Sequence, residues 1–219
     1  MLSADAIVGL HDRQTRAWHH AAEASGQSGP LSADAESSAN AAAAKPEGEA
    51  AAWLDLVARQ HRANFDLWHI EDEARTPGAT DAEIAQVKRR VDETNQRRND
   101  LAEELDRTLL AWLAPRGLPN PAARLHSESP GLIIDRLSIL ALKVWHTREE
   151  AERENAPPGH AERNRGRLGI LMEQRADLAA CLDDLWRETQ AGTRRFRLYR
   201  QLKMYNDPSL NPAIYSRGG

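Results

Sequence analysis

Residues 67–75 read LWHIEDEAR, and residues 144–152 read VWHTREEAE. Each stretch contains a tryptophan–histidine pair, and the two pairs stand 77 residues apart. The same offset aligns RNDLAEELD at 98–106 with RADLAACLD at 175–183. Two matching stretches at one offset, with a Pro-Gly turn between them in each copy, predict the internal duplication of a helical hairpin.

The composition favours helices throughout the chain. Ala, Leu, Arg and Glu are abundant, whereas Val, Ile, Phe and Tyr, which favour strands, are scarce. The predicted fold is all-α, with two tandem antiparallel helical hairpins forming a four-helix bundle and an extra helix at each end. Cys181 is the only cysteine, which excludes an internal disulfide and a multi-cysteine metal site.

Local signals give the predicted boundaries. Thr80 opens a capping box with Glu83, Ser129-Pro130 is a typical helix start, and Gly192 is a typical helix stop. We expect the N-terminal helix to dock on the bundle, since an isolated helix of this length is marginally stable. The predicted parts are an N-terminal helix (1–24), a flexible low-complexity linker (25–49), a helical bundle (50–205) made of repeat one (50–114), repeat two (129–192) and a C-terminal helix (193–205), and a tail (206–219).

Charge and hydropathy restrict the classes of protein. The net charge is −4, which argues against specific nucleic-acid binding. The N-terminus lacks the pattern of a signal peptide, and the most apolar stretch, GLIIDRLSILALKVW, is too short and too charged to span a bilayer. We therefore expect a cytoplasmic protein without a transmembrane segment. The sequence does not indicate an oligomeric state.

A polar layer is predicted inside the bundle. On a helical wheel of residues 53–75, polar and charged side chains fall within the apolar arc. Arg98 lies in the apolar seam of the next helix, and Arg175 has the matching place in the second copy. Because a buried arginine usually pairs with a carboxylate, we expect ion pairs here. In the alignment of the two copies, Arg148 takes the place of Glu71, and Glu152 takes the place of Arg75. Because the signs of charge are reversed between the copies, we expect the ion pairs Glu71–Arg148 and Arg75–Glu152.

Two interpretations of this layer remain open. It is either a structural network that fixes the register of the bundle or a pocket for an anion or another polar ligand. In the second case Glu71 or Asp72 could act as a base. The candidate ligand-binding residues are His61, Asn64, Trp68, Glu71, Asp72, Arg75, Asn95, Arg98, Arg148, Glu152 and Arg175.

A metal site is a weaker alternative. His69 and Glu73 are spaced i, i+4, as are His146 and Glu150, and imidazole with carboxylate suits zinc or iron. The wheel places Glu73 on the solvated face, which favours a surface salt bridge instead. Trp18-His19 repeats the two central residues of the duplicated stretch, but two residues are too few to extend the duplication. The sequence therefore assigns no metal and no cofactor, and it lacks a Gly-rich phosphate loop, G-x-S-x-G, HExxH and CxxC.

The C-terminal segment combines bases with aromatic residues and is a candidate partner-binding surface. Its basic residues could instead pair with acids of the bundle while Phe196 and Tyr199 pack on it. The candidate partner-binding residues are Arg194, Arg195, Phe196, Arg197, Tyr199, Arg200 and Lys203.

Several long stretches together resemble one known family. NFDLWHIEDEAR, VDETNQRRNDLAEELD, PGLIIDRLSILALKVWH, MEQRADLAACLDDL and YRQLKMYNDPSLNP are similar, in this order, to a bacterial family of uncharacterised helical proteins, domain of unknown function 4254. The likeness covers roughly residues 50–215. The family has no established activity or catalytic residues. The resemblance implies only a loose association with glycosyltransferases and cell-envelope sugar assembly.

The predicted function is accordingly a non-catalytic one, that of a helical binding or scaffold protein accessory to cell-envelope glycan assembly with a glycosyltransferase as partner. The first alternative is an enzyme that acts on a phosphorylated or sugar-like substrate at the polar layer. The second is a metal-binding helical bundle.

Overall fold

A computed structural model describes residues 2–25, 48–202 and 209–210. Its five helices are α1 (Ala4–Ser25), α2 (Glu49–Glu73), α3 (Asp81–Leu113), α4 (Pro130–Glu152) and α5 (His160–Gln190). A 3₁₀ turn, Ala114–Arg116, follows α3. Two short strands, β1 (Arg124–Leu125) and β2 (Arg194–Arg195), pair in parallel. The all-α fold predicted from the sequence is confirmed, and most of the predicted linker lies outside the described residues.

The helix ends follow the predicted local signals. The Thr80 side chain accepts a hydrogen bond from the Glu83 amide, and the Glu83 side chain accepts one from the Thr80 amide, which completes the capping box. Ser129 caps α4, with a proline in its first turn. Gly192 adopts a φ of +72°, a left-handed conformation that ends α5 at little cost for glycine.

Helix α1 belongs to the core of the bundle. Its Ile7 and Trp18 side chains are buried. The helix contacts α2, α4 and α5, and α4 contacts all four other helices. The docking expected for α1 is therefore observed. The bundle has five members instead of four helices with appendages, because α1 covers apolar surface that the two hairpins leave exposed.

Helices α1, α2 and α4 run parallel and in register. His61 contacts Ser138 and His69 lies beside His146, both at an offset of 77 residues. His11 and His19 contact His61 and His69 in turn, both at an offset of 50. Contacts that keep one offset over eight residues, about 12 Å of helix, require parallel axes. This register brings equivalent residues of the three helices to the same height.

The C-terminal helix predicted for 193–205 is not observed in its described part. Residues 193–202 contain no helix, and Arg194–Arg195 form strand β2. Strand pairing with β1 and burial of Phe196, which is 2% exposed, hold this segment extended. Gly192 redirects the chain just before it. Residues 203–208 lie outside the described range.

Candidate functional site

An open groove of about 380 Å³ lies on the surface formed by α2, α3 and α4. Its lining combines an apolar part with a polar rim. Six of the eleven candidate ligand-binding residues line it. The lining residues are Asn64, Leu67, Trp68, Glu71, Asp72, Arg75, Arg98, Ile139 and Leu142.

The base of the groove is held by the buried carboxylate of Asp135. Arg98 donates to it through Nε, at 2.8 Å from Oδ1, and through Nη2 to Oδ2. Gln60 and Asn64 donate to the same Oδ1 at 2.6 and 2.9 Å. The predicted pairing of Arg98 with a carboxylate is therefore observed. The partner, Asp135 of α4, is a charged residue within the apolar stretch GLIIDRLSILALKVW.

The ion pairs predicted between the two copies are not formed. Arg75 pairs with Glu71, one turn earlier, at 3.4 Å. Their side chains are 69% and 45% exposed, because Glu71 lies in the last turn of α2 and Arg75 lies just beyond its end. Glu152 is exposed and Arg148 is half-buried on α4, outside the lining of the groove.

Two further predicted residues lie away from the groove. Arg175 of α5 pairs with Asp12 of α1 at 2.6 Å, so it attaches the N-terminal helix to the bundle. Asn95 is half-buried on α3 and does not line the groove. Arg98 and Arg175, which match in the two copies, thus both form ion pairs, but only Arg98 lines the groove.

His61 belongs to a fully buried polar layer beneath the groove. Its Nδ1 lies 2.7 Å from the Ser138 hydroxyl and its Nε2 lies 2.9 Å from that of Thr15. The ring of His11 stacks on it at 4.4 Å. Burial, followed by the nearby charges of Arg62 and His19, lowers the pKa of His61 to about 3. Burial, and after it the nearby His61, also lowers the pKa of His11 well below its usual value. Both rings are therefore neutral at physiological pH.

The C-terminal segment lies against the bundle through its first residues. Arg194 pairs with Glu188 at 2.8 Å, and the Arg195 side chain donates to the Ala123 carbonyl at 2.8 Å. Phe196 is buried. Exposed side chains remain at Arg197, Tyr199 and Arg200, whereas Lys203 lies outside the described residues.

The two histidines of the duplicated stretch come together, but the two glutamates do not join them. Glu73 pairs with Arg90 of α3 at 2.5 Å. Glu150 accepts from His160 of α5 at 2.7 Å. The surface salt bridges predicted as the simpler role of these glutamates are therefore observed.

A third tryptophan–histidine pair completes the cluster from α1. The ring centroids are 5.3 Å apart for His19 and His69, 5.0 Å for His19 and His146, and 5.8 Å for His69 and His146. The side chains offer nitrogen atoms that all lie within 4.8 Å of one another. We call these three residues the histidine triad.

The sequence contains a signal for the triad that the two-copy alignment did not use. HDRQTRAWH at 11–19 and HRANFDLWH at 61–69 share His-x6-Trp-His, and SILALKVWH at 138–146 has serine at the first position. Aligned on this nine-residue pattern, α1 becomes a third, parallel member. The first positions of the pattern form the buried polar layer around His61, and the last positions form the histidine triad.

The fold and these sites define an all-α bundle that carries an amphipathic surface groove and a histidine triad. Residues 54–198 match the family model described as Protein of unknown function (DUF4254), and the chain belongs to that family. Helix α1, with His11 and His19, precedes the matched residues. Neither the curated proteins nor the solved structures gave a match. None of the helices in the described part has the length and hydropathy needed to cross a membrane.

Proposed function

We propose that this protein is a binding protein whose groove takes a neutral, hydroxyl-rich ligand of the sugar type. The observation that carries the proposal is the convergence of Trp68 with five polar side chains on one groove of about 380 Å³. A mainly apolar pocket with a few fixed polar groups is the usual form of a small-molecule site.

The charge balance of the groove favours a neutral ligand over a phosphorylated one. Glu71 and Asp72 carry negative charge, and Arg75 and Arg98 carry an equal positive charge. Asp135 neutralises Arg98 from behind, and Glu71 pairs with Arg75. An anionic ligand would therefore meet no excess of positive charge. Hydroxyl groups can use both the donors and the acceptors of such a rim.

Two features hold the groove in a fixed shape. Asn64 and Arg98 are tied to Asp135 by charge-assisted hydrogen bonds, which are stronger than those between neutral groups. The Trp68 ring stacks on His146 with centroids 4.7 Å apart and planes 10° apart. A site whose side chains are already positioned loses less conformational entropy when a ligand binds.

The rim residues provide the test. We expect N-acetylglucosamine or glucose to shift the indole N–H resonance of Trp68, assigned with Trp68→Phe, and glucose 6-phosphate to shift it less. Asp72→Ala and Arg75→Ala should weaken the shift, because both side chains are exposed and leave the core intact. Asp177→Ala, an exposed aspartate on α5, is the matched control.

A preference for the sugar phosphate would contradict the proposed ligand class. The absence of any shift with all three compounds would contradict the groove as a sugar site. Conversion of a bound compound, abolished by Glu71→Gln or Asp72→Asn, would favour the enzymatic alternative.

We also propose an accessory role in cell-envelope glycan assembly, with a glycosyltransferase as partner. Family resemblance supports it, and the exposed Arg197, Tyr199 and Arg200 provide a contact surface. Co-purification from the native cells is expected to fail for Arg197→Ala/Arg200→Ala and to persist for Arg163→Ala/Arg165→Ala, an exposed basic pair on α5. Equal recovery of the partner with both double variants would contradict the assigned surface.

A further inference from the structure

His19, His69 and His146 do not line the groove described above, yet the fold gathers them at one height of three parallel helices. We propose that His19, His69 and His146 form a binding site for a divalent transition-metal ion, with zinc as the best match. The argument is independent of the sugar-type ligand, and either proposal can fail without the other.

Hydrogen bonds fix which ring nitrogen is available in each histidine. His19 Nδ1 lies 2.7 Å from the Thr15 carbonyl oxygen, and His69 Nδ1 lies 2.9 Å from that of Phe65. A carbonyl oxygen only accepts, so each Nδ1 must carry the proton. In a neutral ring this leaves Nε2 with its lone pair.

His146 reaches the same state through a carboxylate. Its Nδ1 lies 2.8 Å from Oε2 of Glu149. An ionised carboxylate that accepts from Nδ1 again leaves Nε2 free. A carboxylate or carbonyl that orients a histidine in this way is the usual outer partner of a metal ligand.

Two of the three free nitrogens are buried without a protein partner. Nε2 of His19 and Nε2 of His146 are buried, and within the described residues neither has a hydrogen-bond partner. His19 is itself 9% exposed. A buried acceptor without a donor costs free energy, so two of them beside each other need an explanation. A metal ion would satisfy both lone pairs at once.

Aromatic walls hold the rings in place. Trp145 stacks on His19 at 4.9 Å, and Trp68 stacks on His146 at 4.7 Å. Phe65 lies 4.3 Å from the His69 ring. Each of the three rings is thus held by one hydrogen bond and by at least one contact with a tryptophan or phenylalanine ring.

The spacing of the triad fits a tetrahedral ion after a small adjustment. Zinc–nitrogen bonds of about 2.0–2.1 Å place ligand nitrogens about 3.3–3.4 Å apart. The nitrogens of the triad lie within 4.8 Å of one another, so they need to approach by at most about 1.5 Å. Binding therefore requires changes in the χ angles of the three side chains.

The donor set selects the class of metal. Three neutral imidazoles suit zinc, copper, nickel and cobalt, whereas magnesium and calcium prefer oxygen ligands. The carboxylate of Glu149 beside His146 offsets part of the charge of the ion.

Metal titration of the full-length, tag-free chain, stripped with a chelator, tests the proposal. We expect one zinc ion per chain by native mass spectrometry and calorimetry. Cobalt(II) should give the visible bands of tetrahedral nitrogen coordination and be displaced by zinc. His19→Ala, His69→Ala and His146→Ala should each abolish tight binding. His20→Ala is the matched control, because this neighbouring histidine has a side chain that is 64% exposed and lies outside the triad.

Two further measurements do not depend on the folding of the triad variants. Glu149→Gln should weaken zinc binding about 10- to 100-fold, the usual effect of losing an outer partner of a metal ligand. In ¹⁵N-histidine spectra of the wild type, zinc should shift three Nε2 resonances and leave the Nδ1 protons in place. Absence of stoichiometric zinc or cobalt binding to the wild type would overturn the proposal. So would equal loss of binding in the His20→Ala control, or zinc-induced shifts at histidines outside the triad only.

Discussion

At the residue scale, two buried carboxylates, Asp135 and Asp106, link helices of the bundle through their hydrogen bonds. Asp135 takes hydrogen bonds from three side chains, and Asp106 accepts from the Gly131 amide at 2.7 Å. Burial of such groups is tolerated because each carboxylate oxygen finds donors. The consequence is that each partner is hard to replace.

Replacing Arg98 with leucine should destabilise the protein by about 3 kcal/mol, because the substitution leaves the Asp135 carboxylate buried without its cation. Urea unfolding at pH 7 measures the change. Arg89→Leu is the control, since Arg89 is exposed on the same helix and should change stability by less than about 0.5 kcal/mol. Similar losses in both variants would show that the buried pair contributes little.

The buried histidines should make the metal-free protein less stable in acid. The folded pKa values of His19 and His61 are about 4 and about 3, mainly because of burial, against 6.5 for an ordinary histidine. The unfolded chain therefore binds more protons below pH 6.5. Stability is fully present above pH 6.5 and falls as the pH drops towards 4.

Urea unfolding between pH 7 and pH 4.5 measures this dependence, and His61→Gln should flatten it. Asp106 acts in the opposite direction, because burial raises its folded pKa to about 6. Asp106→Asn should therefore steepen the loss. Stability that stays constant or rises on acidification would contradict the neutral state assigned to the buried histidines.

At the scale of elements, the bundle depends on where helices approach each other closely. A Cβ atom on Gly131, in the first turn of α4, would lie 2.3 Å from the Ala102 carbonyl oxygen of α3. Glycine is thus required here by the contact between two backbones, not by its own conformation. Contacts with the rest of the chain also decide the conformation of the C-terminal segment. Pairing with β1 and burial of Phe196 keep it extended where an arginine-rich helix was expected.

Gly131→Ala should cost about 2–3 kcal/mol, because α3 and α4 must separate to admit the methyl group. Gly166→Ala is the matched control within an exposed part of α5, where a Cβ meets nothing within 4 Å. It should stabilise the helix by about 0.5–1 kcal/mol. Thermal unfolding of both variants provides the comparison, and equal midpoints would refute the close-packing argument.

At the scale of the whole molecule, three parallel helices meet at the histidine triad, and α1 reaches it from outside the two duplicated hairpins. A ligand bound by all three helices would join α1 to the rest of the bundle. Binding to the folded state alone raises stability by mass action.

Zinc at about 100 times its dissociation constant should stabilise the wild type by about 2.7 kcal/mol. Hydrogen exchange should slow in α1 as well as in α2 and α4. His69→Ala should remove both effects, and His20→Ala should retain them. An increase in melting temperature without protection of α1 would place the ion elsewhere.

The sequence by itself determined the helices, their caps, the hairpin duplication and the presence of polar residues on apolar helix faces. These are local properties: apolar periodicity, capping residues and turn residues act within a few positions of the chain. The pairing of Arg98 with a carboxylate was also predictable, since a buried guanidinium needs one.

Only the tertiary structure decided which groups meet. Arg98 pairs with Asp135 and not with a residue of the aligned second copy, and Glu71 with Arg75 and not with Arg148, because the helix register sets these distances. The nine-residue pattern marks His19 as the equivalent of His69 and His146, but only the docking of α1 on α2 and α4 brings the three rings into contact. Contacts between distant segments depend on the shared packing of all five helices, which no local pattern specifies.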